Sequence, residues 1–360
     1  MAGNAAWSIS ASHRARPRTC PRCTPRISCS TRLGGGRRDC SEQSRRPLLA
    51  GKEGYMYDVI VVGGGIAGLS AAQVLGRAHR NTLVIAGGEP RNASAEAVHG
   101  VVSRDGTPPG DFAREARAEL EKYSSVTVRR DSAVTVDGGR GDFVIQLGSG
   151  EIVGGRRLIL ATGVTDDLRA IEGLSERWGR SVLHCPYCHG WEVSGGALAV
   201  VALSVLDAYM AAHLTQWSKD VLFCVNGVEL YESQYVTLNS AGVRVHPGKV
   251  VRLGGDGPGL GTIEFEDGQV VTRDALFVQA PTRQRSNLPA DLGCDLHDDG
   301  TVAVDELGKT SIDGVHAVGD MARRQTQEPG LTFVATAMGD GVLAAIAVNR
   351  ELFFTSLEFG

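Results

Sequence analysis

The most constraining stretch is Tyr57-Asp58-Val59-Ile60-Val61-Val62, running straight into Gly63-Gly64-Gly65-Ile66-Ala67-Gly68. A near-continuous β-branched run predicts a strand buried on both faces, as in a parallel sheet. Residues 69–75 then read as a helix. A G-x-G-x-x-G alone is a weak signal. Ending a strand and opening a helix, it marks a dinucleotide-binding turn. Its glycines let the backbone turn tightly and approach a pyrophosphate, whose charge sits on the helix N-terminus. A second strand, residues 82–85, leads to Glu89, 21 residues after Gly68. An acidic residue at about that distance is where a ribose hydroxyl is held.

Further along, residues 111–123 read as a helix with Phe112, Ala116 and Leu120 on one face. Residues 133–136, 143–147 and 151–153 look like a small antiparallel sheet joined by glycine turns. Residues 157–163 form another buried strand, closing in Ala161-Thr162-Gly163. Near the end, residues 314–320 form a strand closing in Gly319-Asp320. Asp320 can accept hydrogen bonds from sugar hydroxyls, although an Asp at a strand end more often serves as a turn or cap. The last helix, residues 332–352, has a small apolar inner face, and Gly339 and Gly341 are expected to admit another backbone or a ligand.

A second βα unit spans a strand at 197–203 and a helix at 206–217. Its turn is Ala202-Leu203-Ser204-Val205-Leu206-Asp207, where a nicotinamide-binding turn would need three glycines. Side chains there obstruct a pyrophosphate. The next strand, 221–225, ends in Asn226-Gly227-Val228-Glu229 and offers no arginine cluster for a 2′-phosphate. This is a nucleotide fold that has lost its nucleotide, which makes NADPH doubtful as a cofactor; the alternative is NADPH bound in an unusual way.

Between the two units lies Cys185-Pro186-Tyr187-Cys188-His189-Gly190-Trp191-Glu192. Two cysteines at this spacing can close a small disulfide ring, and a helix N-terminus would populate the thiolate near neutrality. The pair could also be half of a zinc site, but downstream only Cys224 and Cys294 follow, singly placed. Redox chemistry is the reading the residues favour, with no metal expected. His189 is a candidate general base and His184 a second one, although either can be structural. Tyr187 and Trp191 can line a substrate cleft or simply pack.

Residues 1–55 carry eleven Lys and Arg against three Asp and Glu, and the rest of the chain 26 against 38. That head holds four of the eight cysteines, lacks an apolar period and is expected to be a disordered basic extension. It reads either as an Arg-rich transit-like peptide or as upstream sequence ahead of a start at Met56. A mildly acidic body gives no electrostatic reason to bind nucleic acid. No run of about 20 apolar residues predicts a membrane span. The few, unpaired cysteines of the body suit a cytoplasmic location.

Taken together, residues 56–360 resemble the thioredoxin reductase-like flavoproteins. The marks are Gly63, Gly65 and Gly68 with Glu89, then Ala161-Thr162-Gly163, the C-x-x-C between two nucleotide folds, and Gly319-Asp320. The resemblance implies an α/β fold of two Rossmann-like three-layer domains, with FAD as cofactor. Its FAD-binding domain would be discontinuous, 56–171 and 297–360, with a degenerate NAD(P)-type domain inserted at 172–296. Ala161-Thr162-Gly163 would pass close to the bound dinucleotide, and a homodimer is implied.

Within the family, Cys-Pro-Tyr-Cys-His-Gly-Trp-Glu looks nearest to the dithiol oxidases of the gliotoxin and holomycin type. Ordinary reductases carry Asp after the second cysteine, where His189 stands here. The expectation is therefore oxidation of a small-molecule dithiol through Cys185 and Cys188, with O2 as acceptor. The alternatives are an NADPH-dependent reductase of a thioredoxin-like protein, or a ferredoxin-linked relative. By resemblance Cys188 lies nearer the flavin, and a substrate thiolate attacks Cys185.

Overall fold

The computed structural model describes residues 56–169 and 171–358; the expectations for residues 1–55 lie outside the described residues. The first strand, β1 (Met56–Val62), is followed by α1 (Ile66–Arg77), β2 (Thr82–Ile85), α2 (Pro109–Leu120) and β3 (Val126–Arg129). Then come β4 (Ala133–Gly139), β5 (Asp142–Leu147) and β6 (Ile152–Leu160). In order they lie β3-β2-β1-β6-β5-β4 in one sheet. The β-branched residues of β1 explain its central place: Val59, Ile60 and Val61 are fully buried, with side chains packed on both faces.

The sheet is mixed in a way the sequence did not separate. Residues 151–153 and 157–160 read as two strands, yet they are one, because β1 and β5 both pair with Gly154 and Gly155 and carry the ladder through them. The expected small sheet is thus an antiparallel extension of the parallel one.

After β7 (Val164–Asp166) the chain enters a second lobe. It contains β8 (Val182–Leu183), α3 (Pro186–His189), β9 (Leu198–Val201), α4 (Asp207–Leu214), β10 (Val221–Cys224), α5 (Glu232–Ser240) and β11 (Arg244–His246). A three-stranded antiparallel sheet, β12 (Val250–Gly254), β13 (Thr262–Phe265) and β14 (Val270–Thr272), precedes β15 (Ala275–Phe277). The parallel sheet of this lobe runs β11-β10-β9-β15-β8.

The return strand, β16 (Thr282–Gln284), pairs antiparallel with β7, so the two crossings between lobes lie side by side. Beyond it are α6 (Leu288–Asp291), β17 (Val302–Val304), β18 (Val315–Ala317), β19 (Ala322–Arg324) and α7 (Val334–Glu358). Leu288 and Cys294 are already buried in the first core with Tyr57 and Leu160. The chain therefore comes home before Leu288, ahead of the boundary at 297 read from the sequence, which no turn signal could locate. β18 completes the first sheet beside β6. Helix α7 packs on α1: a side chain at Gly341 would meet Ala67 O at 2.1 Å. Gly339, expected to serve similarly, faces open space instead.

Candidate active site

A cleft of about 380 Å³ opens at the carboxyl ends of β1, β2 and β6. Ligands of open α/β sheets bind there, because helix N-termini and mobile loops converge at that edge. Of the twelve candidate residues, ten line it: Gly63, Gly65, Glu89, Ala161, Thr162, Gly163, Cys188, His189, Gly319 and Asp320. Gly68 and Cys185 are the two that do not.

The first turn has the glycines for distinct reasons. At Gly63, φ is +128° and a Cβ would sit 2.1 Å from Ala161 O, so strand and crossover touch backbone to backbone. At Gly68 a Cβ would sit 2.1 Å from Gly63 O, which seats α1 on its own turn. Gly65 differs, since a Cβ there would meet nothing within 4 Å, and it lines the cleft. Gly65→Val should therefore fold and purify without flavin. A yellow Gly65→Val protein with wild-type flavin absorbance would undo the assignment of this turn.

On the far wall, Cys185 caps α3 in extended conformation, followed by Pro186 at the first helical position, where its missing N–H costs no bond. The hydrogen bond from the Cys188 thiol lowers the Cys185 pKa; burial opposes it, and the Cys188 and Tyr187 N–H groups add to the lowering. Cys188, as the donor, is raised, and burial raises it further. The pair is thus polarised: Cys185 is the more acidic sulfur, and Cys188, in the cleft, is the one that keeps its proton longer. Alkylation of Cys185 should show a midpoint below that of an ordinary cysteine, and Cys188→Ala should move that midpoint up, because the donor to the thiolate is gone. An unchanged midpoint would contradict this polarity.

Three histidines gather beside Cys188. The His189 ring lies 6.2 Å from that of His99 and 6.5 Å from that of His184, centroid to centroid. Burial lowers the His189 pKa, the neighbouring His99 lowers it further, and Glu192 opposes. Both its ring nitrogens are buried without a hydrogen-bond partner among the described residues. His184 stacks on Trp178 and falls to about 4, through burial first and the Arg91 charge second, against Asp166. It is neutral at any ordinary pH. Tyr187 is exposed, its ring against Trp217 and Phe333 and its hydroxyl 2.9 Å from His213 Nε2. Trp191 projects into solvent, 81% exposed.

The pyridine nucleotide-disulphide oxidoreductase family matches residues 57–341. The chain belongs to that family. Thioredoxin reductase tcpT of Claviceps purpurea is 33% identical over 297 residues, covering 79% of this chain and 92% of that protein. Thioredoxin reductase sirT of Leptosphaeria maculans is 31% identical, covering 82% and 94%. The crystal structure of HlmI is 35% identical with a TM-score of 0.79, covering 85% of this chain and 96% of that one. An oxidoreductase from Agrobacterium tumefaciens is 36% identical with a TM-score of 0.78, covering 83% and 99%.

This family member is a flavin-dependent disulfide oxidoreductase, and FAD is the family's cofactor. The residues fit it: a glycine turn open at Gly65, the strand end Ala161–Gly163 and Asp320 line one cleft with Cys188. What the sequence left unseen is Arg91. It donates from Nη1 to Asp320 Oδ2 at 2.9 Å and from Nη2 to Asp166 Oδ1 at 2.6 Å, with Nε 3.0 Å from Asp166 Oδ2. Burial works against its charge, but the two carboxylates outweigh it and the pKa rises. Arg91 thereby ties the first lobe to the crossing strand β7. His99 also went unread; it bridges Glu192 Oε1 and Asp105 Oδ2, each 3.4 Å away. No motif marks either residue: both Arg91 partners and the Glu192 partner of His99 are distant in sequence.

Proposed function

We propose that this flavoenzyme oxidises a small-molecule dithiol to a disulfide, with O2 as the final electron acceptor. The observation carrying this reading is the asymmetry of the pair. Cys188 lies in the cleft with the dinucleotide cradle, while Cys185 is outside its lining and holds the lowered pKa. A substrate thiolate attacks Cys185 Sγ of the closed pair, breaking its bond to Cys188 and forming a mixed disulfide. The second substrate thiolate then attacks the substrate sulfur, releasing the cyclised product and leaving both cysteines reduced. Two electrons and two protons pass from substrate to enzyme. His189, neutral because burial lowers its pKa, can accept a thiol proton beside Cys188. FAD, when bound, supplies the two-electron sink that returns the pair to its disulfide form while oxygen is reduced to peroxide.

A second reading, an NADPH-dependent reductase of a thioredoxin-like protein, is favoured by the names of the fungal relatives. Anaerobic flavin bleaching separates the two. Bleaching by dithiothreitol alone, with recovery and peroxide on admitting air, is expected; fast bleaching by NADPH would replace the oxidase with the reductase.

We place the reaction in the cytoplasm, where the buried single thiols Cys224 and Cys294 would stay reduced. A homodimer belongs to the same proposal. Leu343, Ile346, Phe353, Phe354 and Leu357 form an exposed apolar stripe along α7. Ile346→Asp with Phe354→Asp should convert a dimer to a monomer in sedimentation; a wild-type monomer would refute the pairing.

A further inference from the structure

The two βα turns of this protein can be laid over each other residue by residue. Strand β1 ends at Val62 and β9 at Val201, so Gly63, Gly65 and Gly68 correspond to Ala202, Ser204 and Asp207. In the first turn, the Gly68 position has no room for a side chain. In the second, the same position carries a carboxylate, 2% exposed, turned back into the turn itself. The backbone N–H groups of Leu203 and Ser204 both donate to Asp207 Oδ2 at 2.8 Å, and Ser204 Oγ donates to it at 3.3 Å. Helix α4 begins only at Asp207, two residues later than α1 begins in the equivalent frame.

The next strand repeats the pattern. Asn226, just past β10, donates from Nδ2 to Ala202 O at 3.1 Å, and its Oδ1 accepts from Val250 N at 3.0 Å. That carboxamide spans the crevice between the ends of β9 and β10, where a dinucleotide's sugar would lie. Both bonds are made by this one side chain, which a nucleotide would have to displace.

We propose that Asp207 is a built-in anion occupying the pyrophosphate seat of the second lobe, with Asn226 closing the crevice beside it, so that this lobe is shut to nicotinamide dinucleotides. The inference rests on the dithiol reading only for the direction of electron flow: reducing equivalents then enter through Cys185 and Cys188 alone. Displacing Asp207 would strip the N–H groups of Leu203 and Ser204 of their acceptor and put a carboxylate beside two phosphates. Burial raises the Asp207 carboxyl, and the three donors pull against it.

The test is anion rescue. Asp207→Ala holoenzyme should melt about 5 °C below wild type, and 50 mM inorganic phosphate should restore most of that loss, where chloride at equal ionic strength does not. Asp207→Asn, which keeps an acceptor oxygen, should melt near wild type and ignore phosphate. If the alanine variant does not fold, Asp207→Ser takes its place. Wild-type enzyme should show no NADPH binding by tryptophan quenching up to millimolar concentration. Submillimolar NADPH binding by wild type, or no phosphate response in the alanine or serine variant, overturns the proposal. Failure of dithiol turnover would sink the oxidase reading and leave these measurements standing.

Discussion

Replacing Cys188 by serine is expected to cut dithiol turnover by at least about a thousandfold while leaving the purified protein yellow. A serine oxygen cannot form the disulfide that receives two electrons from the substrate, so the loss is chemical. The fold should survive, since Cys188 is half-buried in the short helix α3 and a hydroxyl can keep the hydrogen bond to Cys185. With that donor retained, Cys185 keeps its lowered pKa and becomes a trap. Incubated with cystamine, the Cys188→Ser protein should accumulate one mixed disulfide on Cys185, visible by mass. Cys185→Ser should lose turnover equally and trap far more slowly, because burial raises the Cys188 thiol and it is the remaining sulfur. Turnover within tenfold of wild type in either variant would mean that electrons take another route.

The second large effect is expected at Arg91. Its guanidinium joins Asp166, 7% exposed, to Asp320 in the wall of the cleft. Arg91→Met would leave two carboxylates without their cation in a site largely closed to water. Removing one partner of a buried ion pair typically costs about 3–5 kcal/mol, most of it the stranded charge. At this chain size that is a fall in melting temperature of roughly 5–8 °C. The double variant Arg91→Met with Asp166→Asn removes a stranded charge and should recover a substantial part of the loss. Equal melting of the single and double variants would show that the triad does not act through charge. Flavin content should fall too, since Asp320 and Arg91 both line the cleft.

The two variants differ in how far their reasons could be read in advance. Cys188 was legible because its signal is local: two cysteines three positions apart, with proline between, state their own geometry. The glycine turn was legible for the same reason, since strand, turn and helix are contiguous. Arg91 was not, because its partners lie 75 and 229 residues away and a lone arginine in a loop carries no pattern. The course of β6 escaped in another way. Gly154 and Gly155 look like a break, and only the two neighbouring strands hold them extended.

Asp207 marks the boundary between the two kinds of knowledge. By itself the sequence determined that this chain builds two βα nucleotide folds, that the first keeps its glycines and the second does not, and that a redox pair stands between them. Those are statements about backbone freedom and local spacing, which neighbouring residues decide among themselves. Only the tertiary structure decided what ties the lobes across the cleft, and that the carboxylate standing in place of the third glycine is held by the N–H groups of its own turn. Those depend on side chains meeting across long stretches of chain, where burial and charge fix a partner that no spacing announces.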